Sequence, residues 1–232
     1  MKNDITTIPV NDVFDPKEGC PICRLRGMLE QRTLDFILGP AMMEPDIRIR
    51  TNDLGFCYTH FSMMAARHNR LQLALMLDSH LAQLQKRIFG EGKPALLRPS
   101  DSKRLYQAAR VTETCYVCEQ VERSMQHMLN NILHLYEQDK SFRRLFAEQP
   151  VFCLPHYGLL LEHAEQSLPK KVREEFSQAL TAVTQNYLQE LHTDVRHFCD
   201  MFDYRNNSED ADWGNSRDAI ERSIRWLTTR GD

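Results

Sequence analysis

One pattern limits what this chain can fold into more than any other: a CxxC pair followed some way on by CxxH, written twice. Cys20 and Cys23 form CPIC, and after 33 intervening residues Cys57 and His60 form CYTH. Cys115 and Cys118 form CYVC, and after 34 intervening residues Cys153 and His156 form CLPH. The flanks recur as well: Phe56 and Phe152 precede the third cysteine, and Phe61 and Tyr157 follow the histidine. Ligand types, order and gap repeat at an offset of about 95 residues, the mark of an internal duplication.

These residue types suit a metal ion. Zinc takes four tetrahedral ligands and favours thiolate and imidazole. A CxxC pair can turn back on one ion, and a Cys and His three apart share one face of a helix. Read in chain order, Cys20, Cys23, Cys57 and His60 make one closed Cys₃His shell, and Cys115, Cys118, Cys153 and His156 make the other. Ligands mixed between the repeats are the alternative. Closed shells are structural, because no position is left for water or substrate. Three thiolates around a divalent ion leave a charge of −1, which Arg24 is placed to offset in the first repeat; Glu119 stands at the matching position of the second. Two zinc ions are the expected cofactors. Iron–sulfur clusters are the alternative, since histidine can replace a cysteine ligand.

Six of the seven cysteines fall in the pattern. Cys199, between aromatic neighbours, reads as a buried, inert thiol. Disulfides are not expected: the N-terminus lacks an apolar signal core, no run is long enough to cross a bilayer, and the expected compartment is the cytoplasm, where thiols stay reduced. The net charge of −3 argues against bulk attraction to nucleic acid or a membrane.

Apolar periodicity is helical throughout. Ile22, Leu25, Leu29 and Phe36 form one stripe; Leu73, Leu77, Leu81, Leu84 and Ile88 a second; Val121, Met125, Met128, Ile132 and Leu135 a third. Phe176 to Phe198 carry a longer one. The expected fold is all-α: two duplicated helical metal-binding units packed into one helical domain, with at most a short strand near Ile8–Phe14 or Ile47–Ile49. The division is 1–90 for the first unit, 91–105 for a Gly- and Pro-bearing linker, 106–205 for the second unit and 206–232 for a polar loop and final helix.

Two segments stand apart. GPAMMEPDIRIR (Gly39–Arg50) reads as a packed loop that the second repeat lacks, and FDYRN (Phe202–Asn206) with Trp213 forms an aromatic, charged cluster. Their polar residues Glu44, Asp46, Arg48, Asp203, Tyr204 and Arg205 are the candidates for contact with a ligand or partner. No nucleotide loop, nucleophile elbow or HExxH is present.

The motifs LGPAMMEPDIRI, GFCYTHF, NRLQLAL, TCYVC, FCLPH and FDYRN…DWGNSRDAI resemble an uncharacterised bacterial family, a domain of unknown function, from about Thr7 to Leu227. That resemblance implies a cytosolic bacterial protein with this ligand set, and no activity. The expected function is a zinc-binding helical scaffold that engages a protein partner or self-associates. A redox protein or sensor, and an enzyme or small-molecule binder with a site between the units, are the alternatives.

Overall fold

The computed structural model describes residues 8–92, 94–203 and 212–229. Within them lie eleven α-helices and no strand. They are α1 (Ile8–Phe14), α2 (Pro21–Leu38), α3 (Pro45–Leu54), α4 (Tyr58–Ala65), α5 (Arg70–Leu84), α6 (Asp101–Glu113), α7 (Tyr116–Gln138), α8 (Lys140–Ala147), α9 (Leu154–Ser167), α10 (Lys170–Asp200) and α11 (Ala219–Thr228). Both places where a short strand was conceivable are helical, as α1 and within α3. No helix among the described residues is long and apolar enough to cross a membrane.

The Gly39–Arg50 segment is not a loop. Pro40–Met43 makes a tight turn of helix, and Pro45 then opens α3, where its missing N–H costs nothing. α3 is the counterpart of α8, so the second repeat does have an equivalent. Each repeat runs long helix, short helix, CxxH helix, long helix. The apolar stripe on α5 also falls elsewhere than the leucine spacing suggested: Leu73, Met76 and His80 are buried, whereas Leu81 is 56% exposed. On α7, Leu129 rather than Met128 faces the core.

The chain divides into two compact units that do not follow the order of the repeats. One comprises 1–26 and 126–232; the other is 27–125. The boundaries at 90 and 106 drawn from sequence both lie inside this second unit, which includes α6. In the first unit, α10 packs along α8, α9 and α11. Its centre is aromatic: Phe14, Phe142, Phe146, Phe152 and Phe176 are all fully buried. Phe146 stacks on Phe152 at 4.8 Å and meets Phe176 at 4.9 Å and Tyr136 at 5.3 Å. Ring pairs at such spacings add about 0.5–1.5 kcal/mol each beyond area burial.

In the second unit α3 lies against α5 and α6. Asp53 on α3 accepts from Arg87 at 2.8 Å and from Arg110 of α6 at 2.5 Å. His80 is buried and donates from Nδ1 to the Asn52 carbonyl at 3.0 Å. Gly55, with φ +64°, ends α3 against that ring, where a Cβ would stand 3.4 Å from the imidazole. Burial holds the His80 pKa below its ordinary value; the Asn52 hydrogen bond opposes this and the Arg87 charge adds to it. The unfolded chain therefore takes up a proton here before the folded chain does. Stability that depends on neutral His80 is complete above about pH 6.5 and is lost as pH falls from there toward the folded pKa. Between about pH 7.5 and about pH 5.5 the wild-type melting temperature should fall further than that of His80→Gln, in which this group no longer titrates. Parallel curves would remove His80 from the account.

Candidate metal centres

All four motifs are built alike: a cysteine stands immediately before a helix, and the second donor lies in that helix's first turn. Cys57 and Cys153 cap α4 and α9 in the extended conformation, with φ −72°, ψ 164° and φ −69°, ψ 155°. Each carbonyl accepts the first bond of its helix, from Phe61 at 3.0 Å and Tyr157 at 2.8 Å. Cys20 and Cys115 do the same for α2 and α7, through Arg24 at 3.2 Å and Glu119 at 3.1 Å. Pro155 sits in the first turn of α9, a position that needs no donor.

The donors gather in two clusters, each exchanging one half with the other repeat. Cys20, Cys23, Cys153 and His156 form one; Cys57, His60, Cys115 and Cys118 form the other. Pairing in chain order is thus corrected: CPIC faces CLPH, and CYVC faces CYTH. All eight expected ligands are in the clusters, and within each the four donor atoms lie within 4.8 Å of one another. In the first, Sγ–Sγ distances are 3.6 Å for Cys23–Cys153 and 3.7 Å for Cys20–Cys153, and His156 Nδ1 is 3.0 Å from Cys153, 3.3 Å from Cys23 and 3.6 Å from Cys20. In the second, Cys57–Cys118 is 3.9 Å, and His60 Nδ1 is 3.1 Å from Cys57, 3.2 Å from Cys115 and 3.5 Å from Cys118. A disulfide would need about 2.05 Å, and all seven cysteines are free.

Specific contacts bring each half to its partner. In the second unit, the Tyr116 N–H donates to Gly55 O at 3.0 Å and Thr114 Oγ1 to Leu54 O at 2.6 Å. Thr114, just before CYVC, and Tyr116 within it are thereby laced to the residues before CYTH. In the first unit, buried Gln149 donates to Phe14 O at 3.0 Å and Lys17 pairs with Glu148 at 2.6 Å, joining the approaches to CLPH and CPIC. There the indole of Trp226 on α11 also donates to Phe152 O at 3.1 Å, holding the residue that precedes Cys153.

The electrostatics ask for a cation. In the first cluster burial raises the Cys20 pKa, but hydrogen bonds with Cys153, Cys23 and His156 outweigh it and hold the thiol well below its ordinary range. Hydrogen bonding with Cys153 and Cys20, together with burial, drives Cys23 far up, and Cys153 is pushed up to about 12, chiefly by its bond to Cys20. In the second, burial again opposes ionisation of Cys115, yet His60 brings it down to about 6 while burial and the Cys115 charge push Cys118 up to about 12. Each cluster stabilises one thiolate and makes the next unfavourable. A dication held between the sulfurs would remove that conflict. Two helix N-termini also converge on each cluster, and their partial positive charge favours the anionic shell.

Sequence reasoning missed Glu30. Its carboxylate lies 2.7 Å from Nε2 of His60, the nitrogen turned away from the sulfurs. Such a bond fixes the tautomer and aims Nδ1 at the ion. The only sequence signal is an acid two turns after Cys23 on the same helix, which marks nothing without the fold. Burial lowers and hydrogen bonds to Cys115 and Glu30 raise the His60 pKa, to about 9. Arg24, the residue expected to offset charge, donates to Glu18 O at 3.4 Å. Glu119 is itself paired, with Arg50 at 2.6 Å and Arg123 at 3.2 Å.

The other candidates stand apart from the clusters. Glu44 and Asp46 are exposed, and Arg48 donates to Leu75 O at 2.6 Å, tying α3 to α5. Asp203 follows α10, its N–H bonded to Asp200 O at 3.1 Å; Tyr204 and Arg205 lie outside the described residues. Trp213 joins Phe198 and Phe202 in a ring cluster, with Arg217 over its face at 5.4 Å. Cys199 is exposed rather than buried.

Fold and site together define an all-helical protein with two Cys₃His clusters, each able to hold a metal ion. The chain belongs to the family of unknown function DUF6062, whose model matches residues 1–232. No curated protein and no solved structure matches it.

Loss of the Glu30 carboxylate should loosen one site only. Glu30→Gln should lower metal affinity at the Cys57/His60/Cys115/Cys118 site by about 10–100-fold, measured by chelator competition, with the other site unchanged. Unchanged affinity at both sites would show that Glu30 does not orient His60.

Proposed function

We propose that this protein is a two-zinc helical scaffold that engages a protein partner or a second copy of itself. The observation carrying the zinc reading is the size of the two donor clusters. Zinc bonds of about 2.3 Å to sulfur and about 2.0–2.1 Å to nitrogen, at tetrahedral angles, set S···S edges near ~3.8 Å and S···N edges near ~3.5 Å. The sulfurs of Cys23 and Cys153, Cys20 and Cys153, and Cys57 and Cys118 stand 3.6–3.9 Å apart, the S···N distances are 3.0–3.6 Å, and all donors of a cluster lie within 4.8 Å of one another. Four donors converging on one point suit a single ion. An iron–sulfur cluster spreads its protein ligands over several irons. Three thiolates and one imidazole match zinc's preferences, and the shell has no open position, so its work is structural.

The scaffold reading follows from what each ion joins. One ion ties the start of α2 to that of α9, the other the start of α7 to that of α4. Each tethers segments more than a hundred or more than fifty positions apart, as Cys23–Cys153 and Cys57–Cys118 illustrate. The partner reading is supported by apolar side chains that the chain leaves in solvent around α6: Leu96 is 98%, Leu105 73% and Tyr106 61% exposed. Surface of that kind marks an interaction site when it is contiguous.

Purified without oxygen, the protein should hold about two zinc ions per chain, show no visible absorbance, and lose its cooperative melting transition when a strong chelator removes the metal, since structural zinc contributes about 10–16 kcal/mol of binding energy to folding. Iron with inorganic sulfide, or an unchanged melt after complete demetallation, would overturn the proposal.

A further inference from the structure

The two clusters differ in access. At the first site Cys20, Cys153 and His156 are buried and only Cys23 is partly open. At the second site Cys118 is exposed and Cys57 partly open, with their sulfurs 3.9 Å apart. Cys115 and His60 are buried, and Glu30 anchors the imidazole. The two more exposed cysteines of this site thus come one from each converging helix.

We infer that the second site is an oxidant-responsive metal site, at which hydrogen peroxide oxidises Cys118, Cys57 closes a disulfide onto it, and the metal ion is expelled. This rests on the two-zinc reading. Thiolates bound to zinc keep nucleophilic character, and exposure decides which of them meets a peroxide first. The Cys118 sulfur attacks one peroxide oxygen, the O–O bond breaks, and hydroxide leaves to take up a proton as water. The sulfur is now a sulfenic acid, oxidised by two electrons that reduce the peroxide. The Cys57 thiolate then attacks that sulfur; the S–O bond breaks, and a second hydroxide leaves as water. Two thiolates, one peroxide and two protons give one disulfide and two waters. Cys115 and His60 remain, two donors where the ion needs four, so it departs. The first site offers no such pair, because Cys20 and Cys153 are buried. Cys199 is exposed too, but its oxidation frees no metal.

The test uses the full zinc-loaded chain, hydrogen peroxide, a chromogenic zinc chelator and non-reducing peptide mass mapping. The metal content is measured before peroxide is added, so a chain without two zinc ions is recognised then, as a failure of the two-zinc reading itself. In the loaded chain about half of the bound zinc should appear in a phase roughly tenfold faster than the rest, with a Cys57–Cys118 disulfide forming at the same rate. Reduction with a dithiol and added zinc should restore the metal content. Cys199→Ser, which lies outside both clusters, should keep both zinc ions and the fast phase. Release of both ions at one rate, a disulfide involving Cys23 or Cys153 in the fast phase, or a fast phase lost in Cys199→Ser would each overturn the inference while leaving the two-zinc scaffold intact.

Discussion

Everything in this architecture depends on how pairs of helix starts are held together. A cysteine caps each of four helices, a second donor occupies the first turn, and two such starts face one another at each cluster. Apolar packing alone would let these helix ends slide, since burial is non-directional. A tetrahedral ion would not: its four short bonds fix distance and angle at once. The helix termini in turn bring unsatisfied N–H groups and partial positive charge to a shell that carries excess negative charge. A bound ion and the helix ends would stabilise each other, which fits one local design in all four motifs.

The halves of each motif pair are exchanged between the repeats. Between CPIC and CYTH stand the 18 residues of α2 and the ten of α3, and between CYVC and CLPH the 23 of α7 and the eight of α8. In each cluster the half supplied by the other repeat completes the set of four donors. The result is two compact units, one drawn from both ends of the chain and one from its middle.

Much of this was legible in the amino-acid sequence because metal chemistry restricts residue types so strongly. Spacing alone picks out Cys20, Cys23, Cys57, His60, Cys115, Cys118, Cys153 and His156, and apolar periodicity alone gives an all-helical chain. What stayed hidden depended on tertiary arrangement. Pairing in chain order is the simplest reading of two intact motifs, and nothing in their spacing argues against it. Pro45 looked like part of a loop because its neighbours Pro40 and Gly39 break a helix, yet proline in a first turn starts one. On α5 the leucines were a misleading guide, since Met76 and His80 fill the interior that Leu81 vacates. Glu30 carries no signal of its own, because a carboxylate on an amphipathic helix is ordinarily a solvated one.

The pairing of ligands across the repeats is the central claim, and counting metal in paired cysteine variants tests it most directly. Cys20→Ser combined with Cys153→Ser removes two ligands of one site, so the chain should still bind about one zinc ion; Cys20→Ser combined with Cys57→Ser damages both sites and should leave about none. The reverse outcome, about one ion in the Cys20/Cys57 pair and none in the Cys20/Cys153 pair, would mean that each repeat closes on its own ligands and would contradict the architecture described.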